Sequence, residues 1–496
     1  MKNILLLIFS SLFAAQLFAN TLHIGPGHPY NSLSDAADDV VPSDTILFHN
    51  GAYSGGEFIA DLQGNALNTI YILAETPGLV TIVGGSNAWQ LSDAAYLHIE
   101  GFVFEQQTGN GLNMDDGGSY ITPSHHIIFI NCTWKDMNAT GNNDMLKLSG
   151  LDNFTITKCT FFNGSDGGSG IDMVGCHNGE IINNHFENMG SNAIQAKGGT
   201  QYLRIEKNFF KNCGQRSLNL GGSTDLQFFR PIDATFEAAD LQVFSNIFIG
   251  SVAPIAYVGC VRVEVINNTI ISPDKWVLRI LQETVDPKRF EPCGNNTFRN
   301  NIIYKSNAVN TDCNTGPDTA PETFLLSNNL WYNFENPGNS APNDLPVTDE
   351  NNIVGSNPSF ANVVLEAFTL LENSPAIGKG FNLVLPVTDY YGINYASPRS
   401  IGASEGNANP LKIHDTKIIN IINIQPNPFH NQSTISWQDK MITHAAMEVY
   451  DNDGRIVVVQ TITNGGIWIT NLKPGSYQLL VKKGYKTIGV QKFIIY

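Results

Sequence analysis

The chain has 496 residues, with 28 Lys and Arg against 45 Asp and Glu, a net charge of −17, only 15% charged residues and 45 glycines. So negative a mean field repels nucleic acid and anionic membrane surfaces, and it repels an acidic polysaccharide too unless a local basic patch or a bound cation reverses it. Low charge with abundant Gly and Asn suits short strands and tight turns, not helices.

The N-terminus reads MKNILLLIFSSLFAAQLFAN. Lys2 supplies a positive start, an apolar run follows, and small residues precede Asn20. This pattern predicts a secretory signal over residues 1–19, cut after Ala19. The run is short for a bilayer span, and no later stretch is long and apolar enough, so no membrane span is expected after cleavage. Seven cysteines remain. The odd number leaves at least one thiol free in the expected monomer, and no pair has the tight spacing of a zinc site.

Next, YNSLSDAADDV predicts a capping helix. Ser32 is its N-cap, and Leu33, Ala36, Ala37 and Val40 form one apolar stripe. A repeat then takes over. The phrases IIFINCTW, FTITKCTF, EIINNHF, LRIEKNFF, LQVFSNIF, VEVINNTI, TFRNNII and FLLSNNLW align on Cys132, Cys159, Asn184, Asn208, Asn246, Asn268, Asn301 and Asn329. The intervals are 27, 25, 24, 38, 22, 33 and 28 residues. Apolar and polar residues alternate within each phrase, which is strand periodicity. No single phrase can bury its apolar side alone, so neighbours must stack. The predicted fold is therefore a right-handed parallel β-helix over residues 20–403. Asn side chains stacked at the strand spacing of roughly 4.8 Å can bond up and down such a coil. Cys132 and Cys159 share their column and are expected as small buried residues, not as a disulfide.

A second strand follows each Asn turn: NGLNMDDGG, DMLKLSG, SGIDMVGC, NAIQAKGG, RSLNLGGS, APIAYVGC and KWVLRILQ. Placing Leu112, Leu146, Ile171, Ile194 and Leu218 inward turns two columns outward. One carries Asn113, Lys147, Asp172, Gln195 and Asn219; the other carries Asp115, Ser149, Val174, Lys197 and Gly221. A flat polar face of this kind suits an extended sugar chain. Asn113, Lys147, Asp172, Gln195, Asn219 and Glu283 are the candidate binding residues. Two chemistries can use the face. In β-elimination on a uronic acid polymer, a base removes the proton beside the carboxylate while cations neutralise the developing charge. Lys197 is the candidate base, with Lys147, Arg216, Arg230 and Arg279 as neutralisers. Hydrolysis needs two carboxyls across the bond, which Asp115, Asp116, Asp166 and Asp172 can supply. Asp115, Asp116 and Asp172 can equally hold Ca²⁺. A third reading is a surface protein that binds glycan without cleaving it. Arg279 and Glu283 are expected to pair, since arginine suits partly buried ion pairs.

QAKGG followed by NFFKNCGQRSLNLGG resembles the lysine-to-arginine segment of the chondroitinase B and alginate lyase family. That resemblance implies a polysaccharide lyase in which Lys197 on one coil and Arg216 on the next act together, near a carboxylate-bound calcium. The chain departs from the family where an arginine would follow an Asn-aromatic pair: here Asn219-Leu220 is followed by Gly221, and Arg216 lies three residues earlier.

After residue 403 the rhythm changes. Residues 404–417 read as a linker, and residues 418–496 as a small all-β unit, an Ig-like β-sandwich. Pro426, Asn427, Pro428 and Phe429, then Tyr450, Asp451, Gly454 and Arg455, then Leu472, Gly475 and Tyr477 resemble the C-terminal sorting domain of the type IX secretion pathway of Bacteroidota. The resemblance implies that the type IX machinery is a partner and that the chain is secreted or attached to the cell surface.

Overall fold

The computed structural model describes residues 19–119 and 121–406, and in the C-terminal region 422–425, 432–437, 446–450, 456–461, 467–470, 472–483 and 486–495. The signal segment before Ala19, linker residues 407–417, Pro426–Phe429 and the Asp451, Gly454 and Arg455 positions lie outside the described residues. One compact unit runs up to Asn357 and includes Lys379–Ala403; a second comprises Pro358–Gly378 and Ser404 onward.

The first unit is a parallel β-helix, with parallel sheets of 15, 10 and 12 strands. A typical coil takes one strand from each: Leu151–Thr157, Thr160–Phe162 and Ser169–Val174. The corner between the first two strands explains the Asn doublets. Asn183, Asn267, Asn300 and Asn328 each take the left-handed conformation, with φ of 59°, 56°, 57° and 56°. Asparagine tolerates that region better than other side-chain-bearing residues. The next residue of each doublet then points into the coil and forms the ladder. Asn184 donates to Asn208 at 3.0 Å, Asn208 to Asn246 at 3.1 Å, Asn246 to Asn268 at 3.0 Å, Asn268 to Asn301 at 3.1 Å and Asn301 to Asn329 at 3.1 Å. Each also satisfies backbone: Asn246 Nδ2 donates to Ile205 O at 2.9 Å, and Asn246 Oδ1 accepts the Asn208 amide at 2.8 Å. Cys132 and Cys159 continue the column, their thiols donating to Ile99 O and Phe129 O at 3.7 and 3.6 Å. The far end is a carboxylate: Asp349 accepts from Asn329 Nδ2 at 3.0 Å and from Trp331 Nε1 at 2.7 Å.

The core repeats the same spacing in aromatic rings. Trp134, Phe161, Phe186, Phe210 and Phe248 stack with successive centroids 4.9, 4.6, 5.0 and 4.8 Å apart. All seven cysteines are free and buried. The open first coil is covered by the helix Leu33–Ala37, whose Asp35 amide donates to Ser32 Oγ at 3.1 Å and which buries Leu33 and Ala36. In the C-terminal region, antiparallel sheets of three and four strands are described, and Tyr477 donates to Lys473 O at 2.7 Å.

Candidate active site

The ten-stranded sheet carries the polar face. Its register aligns Asn113 with Lys147, Lys147 with Asp172, Asp172 with Gln195 and Gln195 with Asn219. Beyond Asn219 the same column runs through Ala256 to Arg279 and Asn314. The neighbouring column aligns Asp115, Ser149, Val174 and Lys197 in turn. Side chains two apart on a strand share a face, so Asp172 and Lys197 come together diagonally.

Asp172 is the hub. It is 1% exposed, its Oδ2 is bonded by Lys147 Nζ, and Lys197 Nζ lies 3.5 Å from Oδ1. Oδ1 has no hydrogen-bond donor. Lys147 therefore holds the carboxylate closely, while Lys197 is the looser of its two ammoniums. Lys147 also lies 3.5 Å from Asp144 Oδ2. Burial would lower the pKa of Lys147, but Asp172 and Asp144 outweigh it and raise it. Burial, and then the charge of Asp172, push Asp144 up to about 6.

Arg216 opens the strand Arg216–Gly221 and folds back along it. Its Nη1 donates to Asn219 Oδ1 at 2.6 Å and its Nη2 to Glu283 Oε1 at 3.0 Å. Glu283 thus binds Arg216, and the expected Arg279–Glu283 pair is replaced. Arg279 stands on the strand facing the Asn314 strand, so its Nε donates to Asn314 Oδ1 at 3.1 Å while its guanidinium stacks on Trp276 at 4.7 Å. Burial and the nearby Arg216 lower the pKa of Arg279. Lys147, Lys197, Arg216 and Arg279 form a basic strip along one face of an acidic protein.

Arg230 sits apart from this strip in its bonding. Both Nη atoms donate to Asp152 at 2.7 Å, and Nη1 also reaches Gly175 O at 3.0 Å. Burial alone would raise the Asp152 carboxyl, but Arg230 and His177 hold it well below the usual range. The Arg230 amide donates to Gly198 O at 3.0 Å, so the residue anchors the segment beside Lys197. Glu237, which lies outside the repeat pattern, acts in a similar way. It is 1% exposed and accepts the Gly198 amide at 2.8 Å, the Thr224 amide at 2.9 Å and Thr224 Oγ1 at 2.7 Å. Gly222 is required by close approach: a Cβ there would lie 2.7 Å from Gln195 Nε2 and 3.2 Å from Lys197 Cδ.

A cleft of about 760 Å³ opens over these groups, lined by Lys147, Lys197, Thr224, Arg230, Asp116 and Phe228. Phe228 is 56% exposed. A second cavity, about 720 Å³, lies on the fifteen-stranded sheet, lined by Tyr202 and by ion-paired charges. There Arg204 bonds Glu180 at 2.7 Å and Arg262 bonds Asp240 at 2.8 Å, a ladder of satisfied surface pairs.

The three candidate calcium ligands are not gathered. Asp115 accepts from Gln90 Nε2 at 2.6 Å, Ser92 Oγ at 2.7 Å and the Gly117 amide at 3.0 Å. Asp116 accepts the Gly118 amide at 3.0 Å. Asp172 is held by two ammoniums. Ca²⁺ needs six to eight oxygens from a convergent set. Among the described residues these three carboxylates do not come together as such a set.

Residues 29–269 match the profile of the chondroitinase B family, and residues 423–496 match the secretion system C-terminal sorting domain. The sorting domain marks the chain as extracellular, secreted or held at the cell surface. Among the described residues no helix is long and apolar enough to cross a membrane. No curated protein matches the chain. Among solved structures, pectate lyase Pel9A is 14% identical, with 78% of this chain and 96% of that one covered and a TM-score of 0.49. An alginate lyase from Paenibacillus sp. str. FPU-7 is 13% identical, with 62% and 97% covered and a TM-score of 0.41. The GH136 lacto-N-biosidase from Eubacterium ramulus is 11% identical, with 63% and 67% covered and a TM-score of 0.38.

Proposed function

We propose that the chain is a secreted polysaccharide lyase that cleaves an acidic glycan by β-elimination in the cleft above Asp172. The observation that carries this reading is the pair of lysines on one buried carboxylate, on the face where the chondroitinase B family profile matches. Lys197 is the base. It takes the proton from the carbon beside the sugar carboxylate, the electrons form the carbon–carbon double bond, and the glycosidic oxygen leaves from the next carbon. Lys147 and Arg216 neutralise the charge that grows on the sugar carboxylate. Gln195, next to Asp172 in the column, hydrogen-bonds the sugar, with Asn113 beyond Lys147, while the buried Asn219 holds Arg216 in place.

Arg279 and Glu283 extend the strip and bind the next sugar. Arg230, on the cleft wall, positions the Lys197 segment through Gly198. In this reading the chain's own cations, Lys147 and Arg216, supply neutralising charge.

The test is incubation of the protein with alginate, chondroitin, pectate and other acidic polymers while the ultraviolet absorbance of unsaturated ends is followed. A rise on one of them is expected. Reducing ends without unsaturation would assign a glycoside hydrolase instead, and polymer retention without product would assign a binding protein.

A further inference from the structure

The first coil, at the N-terminal end of the solenoid, holds a cluster that the cleft does not use. His23 lies on the strand Thr21–Ile24, which pairs in parallel with Thr45–Phe48. His49 directly follows the second strand. His28 lies in the turn GPGHPY between them. One ring nitrogen from each of the three lies within 4.8 Å of the others, and among the described residues this is the one such group. The ring centroids of His28 and His49 are 3.8 Å apart, those of His23 and His49 5.2 Å.

The hydrogen bonding fixes which nitrogens face inward. Glu75 is itself held by the Asn50 amide, which donates to its Oε2 at 3.0 Å. Its Oε1 lies 3.4 Å from His49 Nδ1. A carboxylate there accepts a hydrogen bond from Nδ1–H, and the tautomer it selects presents a bare Nε2. That Nε2 is 3.0 Å from His23 Nδ1. Two imidazole nitrogens at this separation share either a proton or a cation. The backbone is built for the approach: a Cβ on Gly25 would lie 3.0 Å from Tyr53 Oη and 3.2 Å from His49 Cβ. Tyr53 in turn donates to His49 O at 2.6 Å.

We propose that His23, His28 and His49 form a binding site for a borderline-soft divalent transition cation of the Zn²⁺ class, with Glu75 orienting His49. An all-imidazole donor set selects such ions over Ca²⁺ or Mg²⁺. His28, exposed on its glycine-flanked turn, brings its nitrogen in by side-chain rotation. The ion ties the first strand and its turn to the second coil, closing the end of the solenoid opposite the Asp349 end of the ladder. The site stands independently of the lyase reading, since none of its residues touches the cleft.

Calorimetric titration of the tag-free chain with ZnCl₂, followed by Co²⁺ absorption spectroscopy, tests it. One equivalent of Zn²⁺ is expected to bind and to raise the thermal midpoint with concentration, as binding to the folded state alone requires. His49→Ala abolishes both effects. Glu75→Gln weakens binding about 10- to 100-fold, as removal of an outer carboxylate partner does. His28→Ala removes an exposed side chain, so it keeps the fold and still loses affinity. Absence of saturable Zn²⁺ binding overturns the proposal. So does undiminished affinity in His28→Ala and Glu75→Gln.

Discussion

Substituting Asn246 by Ala tests the ladder that builds the whole scaffold. The side chain is fully buried and serves both neighbours. Its loss leaves the Asn208 amide without the 2.8 Å bond to Asn246 Oδ1, and leaves Ile205 O without its 2.9 Å donor. Asn208 Nδ2 keeps Ile181 O at 2.8 Å, Asn268 Oδ1 keeps the Asn246 amide at 2.9 Å, and Ile205 O stays in the ladder beside Val243, so one group, the Asn208 amide, is orphaned. A buried orphan costs about 1–3 kcal/mol and each of the other three lost bonds about 0.5–1.5 kcal/mol, so the variant loses roughly 2–7 kcal/mol. Asn163, whose Nδ2 makes an exposed bond to Asp136 at 2.7 Å, is the control. Asn163 also holds left-handed backbone at φ 56°, so Asn163→Ala costs about 1 kcal/mol. Guanidinium unfolding followed by far-ultraviolet circular dichroism gives both values. Exchange of the Asn208 amide with deuterium reports the local effect and should speed up in the variant. If Asn246→Ala costs no more than Asn163→Ala, the ladder is decoration and the coil is held by its apolar core alone.

The site makes its own predictions. Arg216→Ala removes one donor to the developing charge and lowers kcat by about 10²–10³-fold with the fold retained; an unchanged kcat returns Arg216 to a structural pair with Glu283. Phe228→Ala raises KM several-fold and leaves kcat alone if the exposed ring stacks on a sugar above the cleft. Burial pushes Asp349 up to about 6 from an ordinary 3.8. The folded state then keeps a proton that the unfolded chain has released, so stability falls as pH rises between about 4 and 6. Asp349→Asn should flatten that part of a denaturation series, and an unchanged slope would show that Asp349 ionises freely in the fold.

The periodic parts were legible in the sequence and the long-range parts were not. The Asn column and both outward columns lie where the spacing places them, because a strand's period of two and a fixed corner leave one register. The glutamate that binds Arg216 is 67 residues away, across two further coils, and no local pattern reports it. Arg279 and Glu283, four apart, invite pairing, yet the chain leaves its strand after Leu281 and turns Glu283 toward Arg216. Asp144 and Glu237 sit just outside the regular strands. Their importance comes from burial, which periodicity does not mark. The histidine trio draws on a strand, a turn and the next coil, with intervals of 5 and 21 residues that match no metal motif. The paired phrase GPGH was its one visible signal.

Cleavage in heavy-oxygen water tests the central claim most directly. Elimination adds no water to the products, so mass spectrometry of the fragments released by the wild-type chain should show unsaturated ends and no solvent oxygen. Lys197→Ala, folded by circular dichroism, should release them about 10²–10⁴-fold more slowly, the usual loss for a missing general base. Fragments that carry solvent oxygen, or an unimpaired Lys197→Ala variant, would contradict the account.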